Sequence, residues 1–150
     1  MRAAGWALAL AALPASAQAP AAGPPLAAYR VEGDAIDAPL AGLRGDPLRG
    51  AAAIRNREAG NCLICHSVPD PRERFQGEVG PPLAGVGLRL TPGQIRLRLV
   101  DPTVVNPDAV MPSYHRLHGL TNVDPRHAGA PVLGAQDIED LVAYLSGLKE

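Results

Sequence analysis

The hydrophobic and polar positions of this chain repeat with a helical period in three segments, which are separated by stretches rich in glycine, proline and alanine. The first segment starts at Asp46, a residue type that caps helices, and Pro47 follows at a position where helices tolerate proline. Residues 48–59 can continue as a helix until Gly60, a typical C-terminal stop. This pattern predicts a first helix over residues 48–59.

The second and third segments carry further helix signals. Thr91 and Gln94 have the spacing of a capping box, and the residues after them predict a short amphipathic helix that ends at Asp101-Pro102. Residues 135–148 predict a last helix, although Gly134 stands where a Ser or Thr cap is usual. The apolar residues of this last helix fall on one face: Ile138, Leu141, Val142, Leu145 and Leu148. Together the three segments predict an all-α fold.

Three other stretches have little helical periodicity. Residues 18–45 form a Pro-, Ala- and Gly-rich arm with scattered apolar residues, for which docking and disorder are both open. Residues 67–90 show no clear period. Residues 103–134 are too long for a loop without a task in a compact domain, and wrapping a bound group would be such a task. We therefore expect an arm over 18–45 and one domain over 46–150.

The N-terminus has the parts of a secretory signal peptide. A short basic end precedes an apolar stretch over residues 3–13, and Ala15-Ser16-Ala17 is an A-x-A cleavage site. The triplet 17–19 is a poorer site because Pro20 follows it. The apolar stretch is too short to span a bilayer, and no later segment is long and apolar enough. We expect residues 1–17 to be removed and the mature protein to be exported, which in a bacterium means the periplasm.

Composition and charge narrow the class of protein further. The chain has 14 basic and 15 acidic residues and a net charge of −1, which argues against a nucleic-acid or anionic-membrane partner. Aromatic residues make up only 3% of the sequence, so few large side chains are available to build a core. A bound apolar cofactor would supply the missing bulk.

The strongest chemical signal is the run Cys62-Leu63-Ile64-Cys65-His66, which uses every cysteine in the chain. This C-x-x-C-H arrangement is that of covalent c-type haem attachment. Cys62 and Cys65 can add to the vinyl groups of one porphyrin, and His66 can then reach the iron as an axial ligand. The sequence therefore predicts one covalently bound haem c.

The same cysteines allow three other interpretations. A thioredoxin-like dithiol would require a preceding strand and a βαβ context, and neither is visible. A structural zinc site would need a second ligand pair, and the nearest candidates, His115 and His118, lie beyond the usual spacing. A disulfide between Cys62 and Cys65 would close too small a loop to stabilise much. Because the C-x-x-C-H order is specific, we favour haem attachment over these three interpretations.

Met111 is the candidate for the second axial ligand, because it is the only methionine besides the initiator. A thioether favours ferrous iron, so a pair of His66 and Met111 would hold a relatively high reduction potential and suit electron transfer. A lone methionine can also simply fill a gap in a core. Three histidines compete for the same position: His115 first, because it is close in sequence, and then His118 and His127.

The order of these motifs resembles that of class I cytochromes c. Gly50 and Ile54 lie on the first helix, C-x-x-C-H follows, and Gly-Pro-Pro-Leu, Met-Pro and a Val-Ala-Tyr-Leu run on the last helix come after. By this resemblance Gly50 lets the first helix cross close to Tyr144. Four segments are more closely similar to the SoxX family, the one-haem subunit of the SoxAX thiosulfate-oxidising complex: 31–36, 60–66, 80–87 and 111–114. The likeness covers residues 29–148.

This resemblance implies a class I cytochrome c fold, with helices wrapped around one covalently attached haem. Cys62 and Cys65 would carry the thioether bonds, with His66 as the proximal iron ligand and Met111 as the distal one. In the family, the proline after the first glycine of G-P-x-L offers its carbonyl to the proximal imidazole. The matching residue here is Pro81, and such a bond would fix the imidazole ring and tune the iron.

For function, the resemblance implies an electron-transfer subunit in sulfur oxidation. The chain would pair with a SoxA-like cytochrome subunit and accept the electrons released when thiosulfate is conjugated to a cysteine of the SoxYZ carrier protein. It would pass them to a soluble cytochrome. The complex would be an L-cysteine S-thiosulfotransferase, and this chain would contribute no catalytic residue, because haem attachment uses both of its thiols. A free periplasmic electron shuttle is the main alternative; a gas sensor or peroxidase is a third, which Met111 disfavours.

Overall fold

The structure, a computed structural model, describes Met1 and residues 23–150, so the predicted cleavage sites lie outside the described residues. Its α-helices are α1 (Pro47–Ala53), α2 (Val86–Arg89), α3 (Pro92–Val100) and α4 (Ala135–Gly147). Short 3-10 turns cover Leu40–Gly42, Cys62–Ile64, Pro102–Val104 and Pro125–His127. Residues 23–150 contain no strand, only one isolated bridge between Glu32 and Ala35. No helix in this range is long and apolar enough to cross a lipid bilayer. The fold is helical, as predicted.

Helix α1 begins as predicted but is shorter. Oδ1 of Asp46 accepts hydrogen bonds from two backbone N–H groups of the first turn, at 2.8 and 3.3 Å, which completes the N-cap. The prediction that this helix continues to residue 59 is wrong, because it ends at Ala53. Beyond it, the side chain of Asn56 accepts from the Glu58 N–H (2.9 Å), a local turn that competes with helical bonding.

Helix α3 has the predicted capping box. The N–H of Gln94 donates to Oγ1 of Thr91 (3.2 Å), and the N–H of Thr91 donates to Oε1 of Gln94 (2.9 Å). The helix ends at Val100, directly before the predicted stop. The sequence pattern does not predict α2, a single turn whose N-cap residue, Gly85, has no capping side chain.

Helix α4 packs directly against α1. Its buried apolar residues are on the predicted face: Ile138, Leu141, Val142 and Leu145. Gly134 has no side chain that could cap the helix, but its backbone N–H donates a hydrogen bond to Oδ2 of Asp137 (2.9 Å). At Gly50 the helices are so close that a Cβ atom would overlap the Asp140 carbonyl and lie 2.7 Å from Cβ of Tyr144. This confirms the expected close crossing at Gly50.

From the sequence, docking and disorder of the arm are both open. The described part of the arm, residues 23–45, is docked on the helices. Ile36 and Leu40 are fully buried in the core. The Ile36 N–H donates to a backbone carbonyl of α3 (3.0 Å), and the Ala27 N–H donates to Nε2 of His115 (2.9 Å). Both apolar burial and hydrogen bonding therefore hold the arm in place.

The long segment over residues 103–134 runs beside the end of α3. The N–H groups of Tyr114 and His115 donate to the carbonyls of the last two apolar residues of α3, at 3.2 and 3.3 Å. The Leu133 N–H then donates to the Tyr114 carbonyl (3.1 Å), which ties the end of the segment to its middle. These bonds hold the segment over one side of a cavity between α2, α3 and the C-x-x-C-H turn.

Candidate cofactor site

An apolar cavity of about 850 Å³ separates the C-x-x-C-H turn from the segment around Met111. Its volume lies within the ~300–1,000 Å³ range of ligand and cofactor sites. The site residues predicted from the sequence all line it: Cys62, Cys65, His66, Pro81 and Met111. Aliphatic residues of the helices and their flanks form much of the wall: Val86, Leu90, Ile95, Leu99 and Leu145. The fold thus brings together side chains that lie far apart in the sequence.

The thiols of Cys62 and Cys65 reach the cavity from a tight turn. Asn61 adopts the left-handed conformation (φ 46°) before it, and the N–H groups of Cys65 and His66 donate to the Cys62 carbonyl, at 3.2 and 3.0 Å. Both thiols are free. Burial raises the pKa of the Cys62 thiol to about 11, so this group stays protonated at neutral pH. The turn therefore presents two unbonded thiols and an imidazole to one cavity.

His66 is held by the Gly80-Pro81 segment. Its Nδ1 lies 2.7 Å from the Pro81 carbonyl oxygen, so Nδ1–H donates and Nε2 of the neutral ring carries no proton. A Cβ atom at Gly80 would lie 2.6 Å from this Nδ1, so no larger residue fits there without moving the ring. The two contacts fix the tautomer and the plane of the imidazole. Sequence reasoning missed Gly80 as a site residue, although the G-P-P-L motif contains it.

Tyr114 connects the distal segment with the C-x-x-C-H turn. Its ring lines the cavity, and its hydroxyl donates to the Gly60 carbonyl (2.9 Å). Burial raises the pKa of this phenol above its ordinary value, so Tyr114 remains a neutral donor. Sequence reasoning missed this role as well. The signal that could have indicated it is the position of Tyr114 directly after Met-Pro-Ser.

The histidines considered as alternatives to Met111 lie outside the cavity lining. His115 is 0% exposed and both of its ring nitrogens are engaged. Nδ1–H donates to the Leu133 carbonyl (2.7 Å), and Nε2 accepts from the Ala27 N–H (2.9 Å). A movement of His115 into the cavity would break both bonds. Of the candidates for the distal position, the structure therefore places only Met111 at the cavity.

Cationic side chains complete the lining. Among the described residues, Arg89 and Arg98 line the cavity and no carboxylate does. An apolar space with such cations suits a large apolar ligand that carries acidic groups, as a porphyrin does. The two thiols, the imidazole and the thioether are the donor set of a c-type haem with a His/Met ligand pair. The residues present therefore fit a haem. The sequence offered no pattern that singles out these two arginines.

No protein-family model and no curated protein matches the sequence. Among solved structures, the chain is similar to a chain in the crystal structure of SoxXA from P. pantotrophus, with 32% sequence identity and a TM-score of 0.74. The match covers 81% of this chain and 95% of that chain. The helical fold and a cavity lined by a C-x-x-C-H motif define the protein as a cytochrome. With this degree of similarity, the chain belongs to the SoxX family, as the resemblance of its motifs indicated.

Proposed function

We propose that this chain is the one-haem cytochrome c subunit of a SoxAX complex in the periplasm, where it transfers electrons during thiosulfate oxidation. One observation carries the proposal: the C-x-x-C-H side chains and Met111 line a single apolar cavity. The similarity to a SoxXA chain supports the assignment to this system. The segment 1–17, read as a signal peptide, would direct the export of the chain.

The proposal assigns a role to each predicted site residue. Cys62 and Cys65 would hold one haem c through thioether bonds, and His66 and Met111 would bind its iron. When bound there, the haem supplies one-electron transfer at an iron whose ferrous state the thioether favours. The fold would be that of a class I cytochrome c, with residues 18–45 as an arm and residues 46–150 as the haem domain.

The groups of the chain itself suit electron transfer and not sulfur chemistry. The Pro81 carbonyl accepts the Nδ1–H of His66, which orients the ring and raises the basicity of its Nε2. The aliphatic side chains that form much of the wall would give a bound haem an apolar surrounding. Because attachment uses both thiols, the chain retains no cysteine for sulfur transfer and is not catalytic by itself.

The partner in this proposal is a SoxA-like cytochrome subunit, with which the chain forms a heterodimer. That complex conjugates thiosulfate to a cysteine of SoxYZ as an L-cysteine S-thiosulfotransferase. Joining a thiol to thiosulfate through a new sulfur–sulfur bond releases a proton and two electrons. A one-haem subunit accepts these electrons one at a time and passes them to a soluble cytochrome.

The functional test uses the full chain, exported with haem attached and co-expressed with its SoxA-like partner. We expect a stable heterodimer whose haem, in this chain, becomes reduced only when thiosulfate and SoxYZ are both present. SoxYZ without its carrier cysteine is the control and should give no reduction. A chain that stays monomeric beside SoxA, and is not reduced under these conditions, would instead be a free electron shuttle.

The site assignment has its own test. Ferric protein should show the weak sulfur-to-iron charge-transfer band, and Met111→Ala should abolish it. Cys62→Ser should leave the haem attached by one thioether at most. Persistence of the band in the first variant, or two thioethers in the second, would contradict the proposed ligands.

A further inference from the structure

Asp101, the residue that follows α3, collects hydrogen bonds from the segment that carries Met111. Its Oδ1 accepts from the Ser113 hydroxyl (2.9 Å). Nη1 of Arg116 lies 3.1 Å from Oδ1 and 2.9 Å from Oδ2. Thr103 adds its N–H and its hydroxyl as donors to Oδ1, at 3.1 and 2.6 Å. One carboxylate thus joins the turn after α3 to the distal segment.

This carboxylate is buried and charged. Asp101 is only 5% exposed. Burial by itself would raise its pKa, but the hydrogen bonds from Thr103 and Ser113 and the charge of Arg116 outweigh that effect, and the pKa lies below its ordinary value. Nη1 of Arg116 also donates to the Thr103 hydroxyl (2.8 Å), so the donors are linked to each other. Bonds to a charged acceptor are stronger than bonds between neutral groups.

The backbone transmits this anchoring to Met111. Only Pro112 separates Met111 from Ser113, and a proline ring restricts its own φ to about −65°. The two residues after Ser113 donate their N–H groups to the end of α3, at 3.2 and 3.3 Å. Ser113 is therefore the side-chain anchor next to Met111 in the chain, and its acceptor is Asp101.

We propose that Asp101 is a positioning residue for the Met111 thioether, holding the Met-Pro-Ser segment against the end of α3. This inference rests on the proposed function, in which Met111 is the distal iron ligand. Asp101 does not line the cavity, so it acts through Ser113 and Arg116. Without these bonds the segment gains freedom and the thioether occupies its position in a smaller fraction of molecules, so an external ligand competes more easily.

The experiment compares haem-loaded wild type with Asp101→Asn and a matched control, Asp140→Asn. An asparagine at position 101 keeps the shape of the side chain but loses the negative charge, and its amide NH2, at either of the two oxygen positions, faces Nη1 of Arg116. Asp140 is also a buried carboxylate paired with an arginine, Arg49 (2.6 Å). It lies between α1 and α4, outside the cavity lining.

Two signals are recorded: the affinity of the ferric protein for added imidazole and the amplitude of the sulfur-to-iron band. We expect Asp101→Asn to bind imidazole about tenfold more tightly than wild type, a change of ~1.4 kcal/mol. The band should weaken in the same variant. Ser113→Ala removes a single donor and should change the affinity in the same direction by about threefold. Asp140→Asn should match wild type in both signals.

Equal effects of Asp101→Asn and Asp140→Asn would overturn the inference, because the loss of any buried carboxylate would then explain them. If Asp101→Asn does not fold, Ser113→Ala decides: an unchanged imidazole affinity would overturn the inference. Failure of the proposed iron ligand would give a different result. If Met111 does not bind the iron, wild type lacks the sulfur-to-iron band, and Met111→Ala binds imidazole no more tightly than wild type.

Discussion

Arg96 on α3 and Glu139 on α4 form a buried ion pair with two hydrogen bonds, Nε to Oε1 at 2.7 Å and Nη2 to Oε2 at 2.8 Å. Neither side chain is more than 5% exposed. The same pair binds the arm: the Leu40 N–H donates to Oε1 of Glu139 (2.9 Å), and Nη1 of Arg96 donates to the Ile36 carbonyl (2.6 Å). The arm, α3 and α4 therefore meet at this one pair of charges.

Breaking this pair from one side should destabilise the protein strongly. We expect Arg96→Met to lower the free energy of unfolding by ~3–5 kcal/mol, because Glu139 is left as a buried charge without its partner. Urea denaturation measures the change. The control is Arg126→Met, which removes the exposed pair with Asp124 and should alter the unfolding free energy little. If both variants lost a similar amount of unfolding free energy, burial would not explain the contribution of the Arg96–Glu139 pair.

Adding one methyl group at Gly50 should disturb the crossing of α1 and α4. A Cβ atom there overlaps the Asp140 carbonyl, and overpacking of this kind costs ~1–3 kcal/mol. Gly147→Ala is the matched control, since Gly147 also lies in a helix and a Cβ atom there meets nothing within 4 Å. We expect the midpoint of thermal unfolding to fall for Gly50→Ala and to hold or rise for Gly147→Ala. A stable Gly50→Ala would show that the helices can separate without cost.

Gly80→Ala should move the His66 ring, because the new Cβ atom would lie 2.6 Å from Nδ1 and 2.8 Å from Nε2. The displaced ring loses its hydrogen bond to the Pro81 carbonyl, which lowers the basicity of the imidazole. In haem-loaded protein we expect a higher reduction potential, measured by redox titration. Gly147→Ala again serves as the control and should keep the wild-type value. An unchanged potential in Gly80→Ala would argue against this role of the Gly80-Pro81 segment.

Acid should weaken the contact between α1 and α4 through Asp140. Burial alone would raise the pKa of this carboxyl, but hydrogen bonds from Arg49, the Asp46 N–H and Gln136 bring it below the ordinary value. Such a group adds stability that is complete above its unfolded pKa of ~3.9 and is lost as pH falls through the lower folded pKa. Asp140→Asn should therefore flatten the fall of unfolding free energy below ~pH 5, measured by urea denaturation at several pH values. An identical pH dependence of the unfolding free energy in wild type and Asp140→Asn would contradict this role of Asp140.

Helix starts could be predicted where the bonds that make them are local. Asp46 and Thr91 cap their helices as expected, because a cap joins groups two or three residues apart. The early end of α1 could be read in the same way only in part, because long-range ion pairs accompany the local turn at Asn56. Directly after α1, Arg55 pairs with Asp70 (2.7 Å) and Glu73 (2.6 Å), which follow the C-x-x-C-H turn in the chain.

The candidate ligands stand out in the sequence, while the residues that hold them do not. Met111 and the C-x-x-C-H run consist of rare residue types in a diagnostic order. Gly80 and Tyr114 are ordinary residues, and their roles depend on contacts with His66 and with the Gly60 carbonyl. Such contacts exist only after the chain has folded.

By itself, the sequence determined the family, the helical class and the candidate haem ligands, because local order and residue chemistry carry that information. Only the tertiary structure decided that His115 is engaged outside the cavity and that Asp101 binds the distal segment. It also decided that Glu139, a charged residue within the last helix, is buried. The physical reason is that a charged or polar side chain can be buried only where its partners are present. Those partners come from distant parts of the chain, and no local pattern specifies them.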